Sequence, residues 1–89
     1  MRGMLLKNEP VEYIVAVEYL LNEFGEYFEG GYSQWEGSFV PAMPYSLEAA
    51  RYILELEDGR RGRISIVQRH AVPDQPVIFR FRGQAGLQR

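Results

Sequence analysis

The feature that most constrains the fold is a strand–turn–strand pattern in the second half of the chain. Apolar and polar residues alternate over 51–57 and again over 61–67, and Asp58-Gly59 between them is a strong turn signal. Alternation with a period of two is typical of a strand with one buried face, so these segments predict an antiparallel hairpin. A third alternating segment, 77–82, predicts another strand after a loop over 69–76. An antiparallel sheet must therefore form part of the core.

The register of the hairpin follows from which side chains must be buried. A two-residue loop at Asp58-Gly59 would set Leu54 opposite Arg63 and divide the apolar residues between the two faces of the sheet. We therefore predict a three-residue or bulged loop, with Arg61 and Arg63 on the outer face and Glu55 beside one of them. That register collects the apolar residues on one face, namely Tyr52, Leu54, Leu56, Ile64 and Ile66.

Residues 9–29 allow two interpretations, of which the first is an acidic amphipathic helix. At about 100° per residue, the glutamates lie on one side, with Val11, Val15, Ala16 and Tyr19 among them. Most apolar side chains fall in the opposite arc, which would face the core: Tyr13, Ile14, Val17, Leu20, Leu21, Phe24, Tyr27 and Phe28. Asn8 is a suitable N-cap, and Gly25 or Gly30 would end the helix. This interpretation predicts a helix over 9–24. Its buried side chains would be Ile14, Val17, Leu21 and Phe24, and the exposed side chains would be Glu12, Glu23 and Glu26.

The second interpretation of this segment is a strand over 11–21. Every second residue there is apolar or aromatic, and most are of types that favour sheets: Val11, Tyr13, Val15, Val17, Tyr19 and Leu21. The alternation fails at Ile14 and Leu20 and ends beyond Asn22, so the helix is the preferred interpretation.

Together these elements predict an α+β fold. An N-terminal amphipathic helix would pack on a small antiparallel sheet or SH3-like barrel, and an all-β small barrel is the alternative. Residues 30–46 contain three glycines and two prolines among four aromatic residues, which indicates turns and short strands. Because 89 residues are too few for two independent cores, we predict a single domain over 1–89, with 1–8 and 84–89 loosely ordered.

The residue types present argue against an enzyme. The chain has no cysteine, which excludes disulfides, thiolate zinc sites and thiol nucleophiles, and its single histidine, His70, falls in a predicted loop. The chain has four serines and no threonine, so few side chains could act as the nucleophile of a triad. We therefore predict no catalytic residues, no metal site and no cofactor.

The lengths of the apolar segments indicate where in the cell the protein is located. No apolar run approaches the roughly 20 residues of a membrane-spanning helix. The apolar stretch near Met1 is shorter than the roughly 7–15 residues of a signal-peptide core. We therefore expect a cytoplasmic protein that does not bind a membrane, while its oligomeric state stays open.

Charge is divided unevenly along the chain. Residues 1–58 carry eleven acidic and three basic residues, whereas 59–89 carry seven arginines and one aspartate. Such a division is typical either of a basic binding face or of two halves that attract each other within one fold. Arginine binds carboxylates and phosphates through two parallel hydrogen bonds, so an arginine-rich face suits an anionic partner.

The candidate site is the outer face of the predicted sheet. Strand parity places the partner-binding candidates on this face: Arg61, Arg63, Arg80, Arg82, Ile53 and Ile78. We predict that this face binds an acidic protein, with a nucleic acid as the alternative partner. The sheet aromatics Tyr52, Phe79 and Phe81 have inward parity, which argues against base stacking there.

Three other interpretations of this face compete with binding. The N-terminal helix could cover it, the arginines could be an ordinary solvated surface, or they could pair with Glu55 and Glu57.

Overall fold

The protein is a closed antiparallel barrel. The structure, a computed structural model, describes residues 1–28, 31–45, 47 and 49–88. The strands in these residues are β1 (Arg2–Asn8), β2 (Val11–Phe28), β3 (Gly31–Pro41), β4 (Arg51–Glu55), β5 (Arg61–His70) and β6 (Ile78–Gly83). They close in the order β1-β2-β3-β6-β5-β4. The α+β prediction is therefore wrong, and the all-β small barrel, the alternative interpretation, fits the structure.

The segment predicted as a helix forms the long strand β2. It pairs with β1 from Arg2↔Glu18 to Asn8↔Val11 and with β3 along its other edge. Val15 and Tyr19, which a helix would place among the glutamates, are 8% and 3% exposed inside the barrel. A helix of this length has little stability without tertiary packing. Residues 11–18 instead pair with β1 and residues 17–28 with β3, and the strand buries Val15, Val17 and Tyr19 inside the barrel.

The predicted hairpin between β4 and β5 is confirmed. Tyr52 lies opposite Ile64 and Leu54 opposite Gly62. The Leu56 N–H bonds the Arg60 carbonyl at 2.8 Å, which leaves a three-residue loop, 57–59. Gly59 has a φ of 90°, the left-handed conformation that such a loop requires and that glycine adopts without strain. The inward face is buried as predicted at Tyr52, Leu54, Leu56 and Ile64, and Ile66 is partly buried.

The barrel interior is filled by large aromatic side chains around Trp35. The Trp35 indole is 1% exposed and packs edge-to-face on Phe81, with ring centroids 5.7 Å apart. Gly62 and Gly83 provide the space for it, because a β-carbon at either position would overlap the indole ring. The ring of Phe39 stacks on the ring of Phe79, with the ring centroids 5.3 Å apart. The barrel is therefore a packed core.

Both ends of the chain take part in the barrel, although the sequence predicts loosely ordered termini. Leu5 of β1 is fully buried, and β1 joins β2 to β4. Beyond β6, the tail returns to β5, where Gln88 and Arg61 exchange two main-chain hydrogen bonds. Leu87 packs against the core between these points. Arg89 lies outside the described residues.

Strands β2 and β3 extend beyond their neighbours. The pairing of β1 with β2 begins at Arg2↔Glu18, and the pairing of β3 with β6 ends at Glu36↔Arg82. Residues 23–28 and 31–34 therefore form a two-stranded projection, which we call the arm. The molecule is elongated, with principal extents of 42 × 26 × 21 Å.

Candidate functional site

The four candidate arginines lie on the outside of the barrel, as their strand parity predicts. Arg61 and Arg63 belong to β5, Arg80 and Arg82 to β6, and all four are exposed. Arg82 is opposite Ser65, while the Arg63 carbonyl accepts the Gln84 N–H. Arg63 and Arg82 are thus diagonal neighbours across the two strands. The arginines form an oblique line rather than a compact cluster.

Arg61 is held by other residues of the same chain. Its Nε donates to Glu55 Oε2 at 2.6 Å, and its Nη2 donates to the Tyr13 hydroxyl at 2.9 Å. The guanidinium carbon also lies 5.7 Å from the centre of the Tyr13 ring. The hydrogen bond to Glu55 raises the pKa of Arg61 above its ordinary value. Arg61 is therefore part of an internal cluster, as the interpretation of arginines paired with Glu55 predicts.

The same cluster explains why Ile53 is only partly exposed. Tyr13 of β2 reaches Glu55 of β4, with a 3.2 Å hydrogen bond, across the outer surface of β1. Beneath this contact Leu6, which is opposite both Tyr13 and Ile53, is only 1% exposed. Ile53 is correspondingly half-buried. Ile53 and Arg61 thus lie at one side of the predicted face, where they line an open cavity of about 630 Å³ together with Arg63. Neither Arg80 nor Arg82 lines this cavity.

The β6 arginines border an open groove whose lining is partly apolar and partly polar. Arg80 lies opposite Ser38 and Arg82 opposite Glu36 on β3. Arg80 donates to Gln68 Oε1 at 3.2 Å, while Arg82 makes no ion pair within the described part of the chain. The groove has a volume of about 410 Å³. Its lining includes Leu20, Ser38, Val67, Ile78, Arg80 and Arg82.

The apolar part of this face is unusually exposed. Leu20 is 70% exposed, Val67 53% and Ile78 39%. Contiguous exposed apolar side chains are typical of interaction sites, whereas isolated ones are ordinary. The structure therefore divides the six candidate residues into two groups: Ile78, Arg80 and Arg82 line this groove, and Ile53, Arg61 and Arg63 line the other cavity.

The arm continues the same outer face with aromatic side chains. Phe24 is opposite Gln34, and Tyr27 is opposite Tyr32, with the tyrosine rings 5.2 Å apart. Tyr27 and Tyr32 are 71% and 42% exposed. A β-bulge at Gly25, where φ is 88°, adds one residue to β2 between Phe24 and Tyr27. Without it, Tyr27 would point to the opposite face from Phe24.

We call the combined surface the aromatic–arginine face. Its members lie on the outer side of β2, β3, β5 and β6: Leu20, Phe24, Tyr27, Tyr32, Val67, Ile78, Arg80 and Arg82. The sequence interpretation misses its aromatic half because the helical arc assigns Leu20, Phe24 and Tyr27 to the core. The strand alternative contains the missing signal, since burial of Tyr19 and Leu21 directs Leu20 outward.

An ion pair attaches the base of the arm to the barrel. Arg60, which follows the β4–β5 loop, donates to Glu23 Oε1 at 3.0 Å and to Asp58 Oδ2 at 2.8 Å. The hydrogen bond to Glu23 raises the pKa of Arg60, although partial burial opposes this effect. The two side chains are 19% and 24% exposed, so water screens this pair less than a fully exposed one. The arm is thereby fixed relative to the core.

His70 and the carboxylates are the remaining groups that could carry chemistry. His70 ends β5 opposite Ile78 and is exposed, rather than lying in the predicted loop. Among the residues that the structure describes, no three histidine, aspartate or glutamate side chains are placed to hold a metal ion. Nor does the described part of the chain contain a helix long and apolar enough to cross a membrane.

Comparison of the chain with protein-family models, with curated proteins and with solved structures finds no match.

Proposed function

We propose that this chain is a non-catalytic protein-interaction domain that binds an acidic polypeptide on the aromatic–arginine face. The observation that carries the proposal is the placement of Arg80 and Arg82 beside exposed Leu20 and Ile78, on an outer face that continues onto the aromatic arm. Aromatic residues and arginine are enriched at the energetic centres of protein interfaces. Partner carboxylates would pair with the two guanidinium groups, and partner apolar side chains would fill the groove.

The distribution of charge on this face favours a protein over a nucleic acid. The arm residues, 23–28 and 31–34, include no basic residue. Glu36 lies directly opposite Arg82 and shares its outward parity. A phosphate backbone that followed the face from β6 to the arm would meet the Glu36 carboxylate and then a stretch without any cation, whereas a protein segment can place its acidic groups at the arginines alone.

Single-stranded nucleic acid is the second candidate, because one observation favours it. Tyr27, Tyr32 and Phe24 are exposed on a sheet face that also carries arginines, and bases stack on such side chains. The sequence argument against stacking considers only Tyr52, Phe79 and Phe81, which are buried. The exposed aromatic residues of the arm therefore support nucleic-acid binding, although the buried aromatic residues of the barrel argue against it.

The test uses two anionic ligands with the intact chain. A random copolymer of glutamate and tyrosine represents an acidic polypeptide, and oligo-dT represents single-stranded DNA. We expect the copolymer to bind more tightly and to shift the amide NMR signals of Leu20, Ile78, Arg80 and Arg82. Binding should weaken only moderately with salt, whereas tight oligo-dT binding with a steep linear dependence of log affinity on log salt would establish the nucleic-acid alternative.

Variants locate the binding surface. Arg80→Glu combined with Arg82→Glu should weaken copolymer binding at least roughly tenfold, as expected when charge-assisted pairs are replaced by repulsion. The control, Lys7→Glu combined with Arg51→Glu, makes the same change of net charge at exposed positions on β1 and β4. Equal loss of binding in the two variants would mean that total charge, and not this face, attracts the ligand, and the proposal would be abandoned.

A further inference from the structure

Another cavity lies at the end of the barrel remote from the arm, and we call it the mouth cavity. It has a volume of about 640 Å³ and opens between the β3–β4 connection and the β5–β6 loop. None of its lining residues belongs to the aromatic–arginine face. We propose that the mouth cavity binds a small zwitterion with an apolar side chain, namely a free α-amino acid with an aromatic side chain.

The lining of the mouth cavity is mostly apolar. Its most buried member is Phe79, which is 3% exposed and stacks on Phe39 inside the barrel. Other apolar residues complete the lining: Pro41, Met43, Pro44, Tyr45, Pro76 and Val77. Small-molecule sites are typically cavities of roughly 300–1,000 Å³ with a mainly apolar lining, and the mouths of β-barrels are a common place for them. Three of these residues are prolines, whose fixed φ reduces the ordering that binding would require.

A β-bulge turns Arg69 toward this cavity. Ile66 lies opposite Phe81 and Arg69 opposite Phe79, with one residue more on β5 than on β6 between them. Arg69 therefore shares the inward parity of the two phenylalanines. Without the bulge, Arg69 would lie on the outer face with Arg63. Arg69 is exposed, so its guanidinium group is accessible where it lines the cavity.

Asp74 supplies the opposite charge. It lies in the β5–β6 loop with a φ of 66°, a left-handed conformation that aspartate and asparagine adopt more readily than most residues. Among the described residues that line the cavity, only Arg69 and Asp74 are charged. Neither makes an ion pair within the described part of the chain. The cavity thus offers one unpaired cation and one unpaired anion beside an apolar surface.

This combination selects the chemistry of the ligand. A carboxylate can accept two parallel hydrogen bonds from the Arg69 guanidinium group, and an ammonium group can pair with Asp74. A ligand with only a carboxylate would bring it near a like charge at Asp74, and one with only an ammonium group would do so at Arg69. An α-amino acid carries both groups on one carbon. Its aromatic side chain would cover apolar surface at Met43 and Tyr45, which are 68% and 47% exposed.

Amide NMR titrations of the intact chain with four probes test the proposal. Phenylalanine has all three features, phenylpropionate lacks the ammonium group, phenethylamine lacks the carboxylate, and glycine lacks the apolar side chain. We expect phenylalanine to shift the amide signals of Tyr45, Arg69, Asp74, Val77 and Phe79. Each other probe should bind at least roughly tenfold more weakly, because it loses one of the three contacts.

Two variants assign the charged contacts. Arg69→Gln should weaken phenylalanine binding at least roughly tenfold without weakening the binding of phenethylamine, which has no carboxylate. Asp74→Asn should weaken phenylalanine binding similarly without weakening that of phenylpropionate, and asparagine tolerates the left-handed backbone at this position. Arg63→Gln is the control, since Arg63 is an exposed arginine of β5 that does not line the mouth cavity. It should bind phenylalanine like the unaltered chain, and thermal unfolding by circular dichroism verifies that each variant folds.

Three results would overturn the proposal. The first is the absence of shifts at millimolar phenylalanine, and the second is a set of shifts confined to residues outside the mouth cavity. The third is equal binding of phenylalanine and phenylpropionate together with no effect of Asp74→Asn, which would assign the cavity to simple carboxylates. The glutamate–tyrosine copolymer should bind Arg69→Gln like the unaltered chain, because this variant leaves the aromatic–arginine face intact. The proposed function and the amino-acid site therefore stand or fail separately.

Discussion

Gly83 of β6 packs directly against the Trp35 indole of β3, with no room for a side chain between them. A β-carbon at residue 83 would overlap indole atoms Cε2 and Nε1, and the indole itself is 1% exposed and wedged beside Phe81. The ring cannot move aside, because Gly62 lies against its opposite part in equally close contact. The largest side chain of the core is thus accommodated by two glycines on neighbouring strands.

Gly83→Ala should therefore destabilise the barrel strongly. Overpacking a filled core costs typically about 1–3 kcal/mol, and we expect this substitution at the upper end of that range or beyond it. Gly86→Ala is the matched control, since a β-carbon at Gly86 meets no atom within 4 Å. Chemical denaturation measures both. A Gly83→Ala variant as stable as the Gly86→Ala variant would contradict the packing described for Trp35.

Leu54→Ala should lower the free energy of unfolding by roughly 2–5 kcal/mol, the range for a buried leucine. Leu54 is fully buried opposite Gly62, so little is available to fill the cavity. Arg63→Ala should cost far less, because Arg63 is exposed on the other face of the same hairpin. Urea denaturation of the pair checks the register, and comparable losses for the two variants would be inconsistent with it.

The ion pair between Glu23 and Arg60 should contribute measurably to stability. A double-mutant cycle with Glu23→Gln and Arg60→Gln is expected to show a coupling of about 1 kcal/mol, near the upper limit for pairs that water reaches. The pair of Arg2 and Glu18 provides the control. Its side chains are 88% and 57% exposed, so we expect a coupling close to zero. Similar couplings in the two cycles would show that burial does not distinguish them.

Residues 11–28 should give backbone NMR shifts of extended type in solution. The prediction follows from the pairing of β2 with β1 and β3 along most of its length. Cross-strand NOEs should connect Val15 to Leu5 and Tyr27 to Tyr32. A run of helical carbon shifts between Val11 and Phe24 would contradict the barrel and return the fold to the α+β class.

The hairpin of β4 and β5 shows what local pattern can determine. The turn signal at Asp58-Gly59 and the alternation around it are satisfied within a short stretch of chain, where neighbouring strands pair with each other. Inward and outward parity then follows, which is why the exposure of Arg63 and the burial of Leu54 are both predictable from sequence. The same reasoning correctly orients Arg80 and Arg82.

By itself, the sequence determined this hairpin, its three-residue or bulged loop and the outward orientation of the arginines, because alternation in these segments allows one interpretation. Only the tertiary structure decided the state of residues 11–28. Their apolar residues suit a helix and a strand almost equally, and pairing with the flanking strands β1 and β3, which in turn pair with β4 and β6 to close the barrel, selects the strand. That selection turns Leu20, Phe24 and Tyr27 from predicted core residues into a surface beside Arg80 and Arg82. The candidate site depends on this choice, since periodicity within one segment carries no information about which strands will border it.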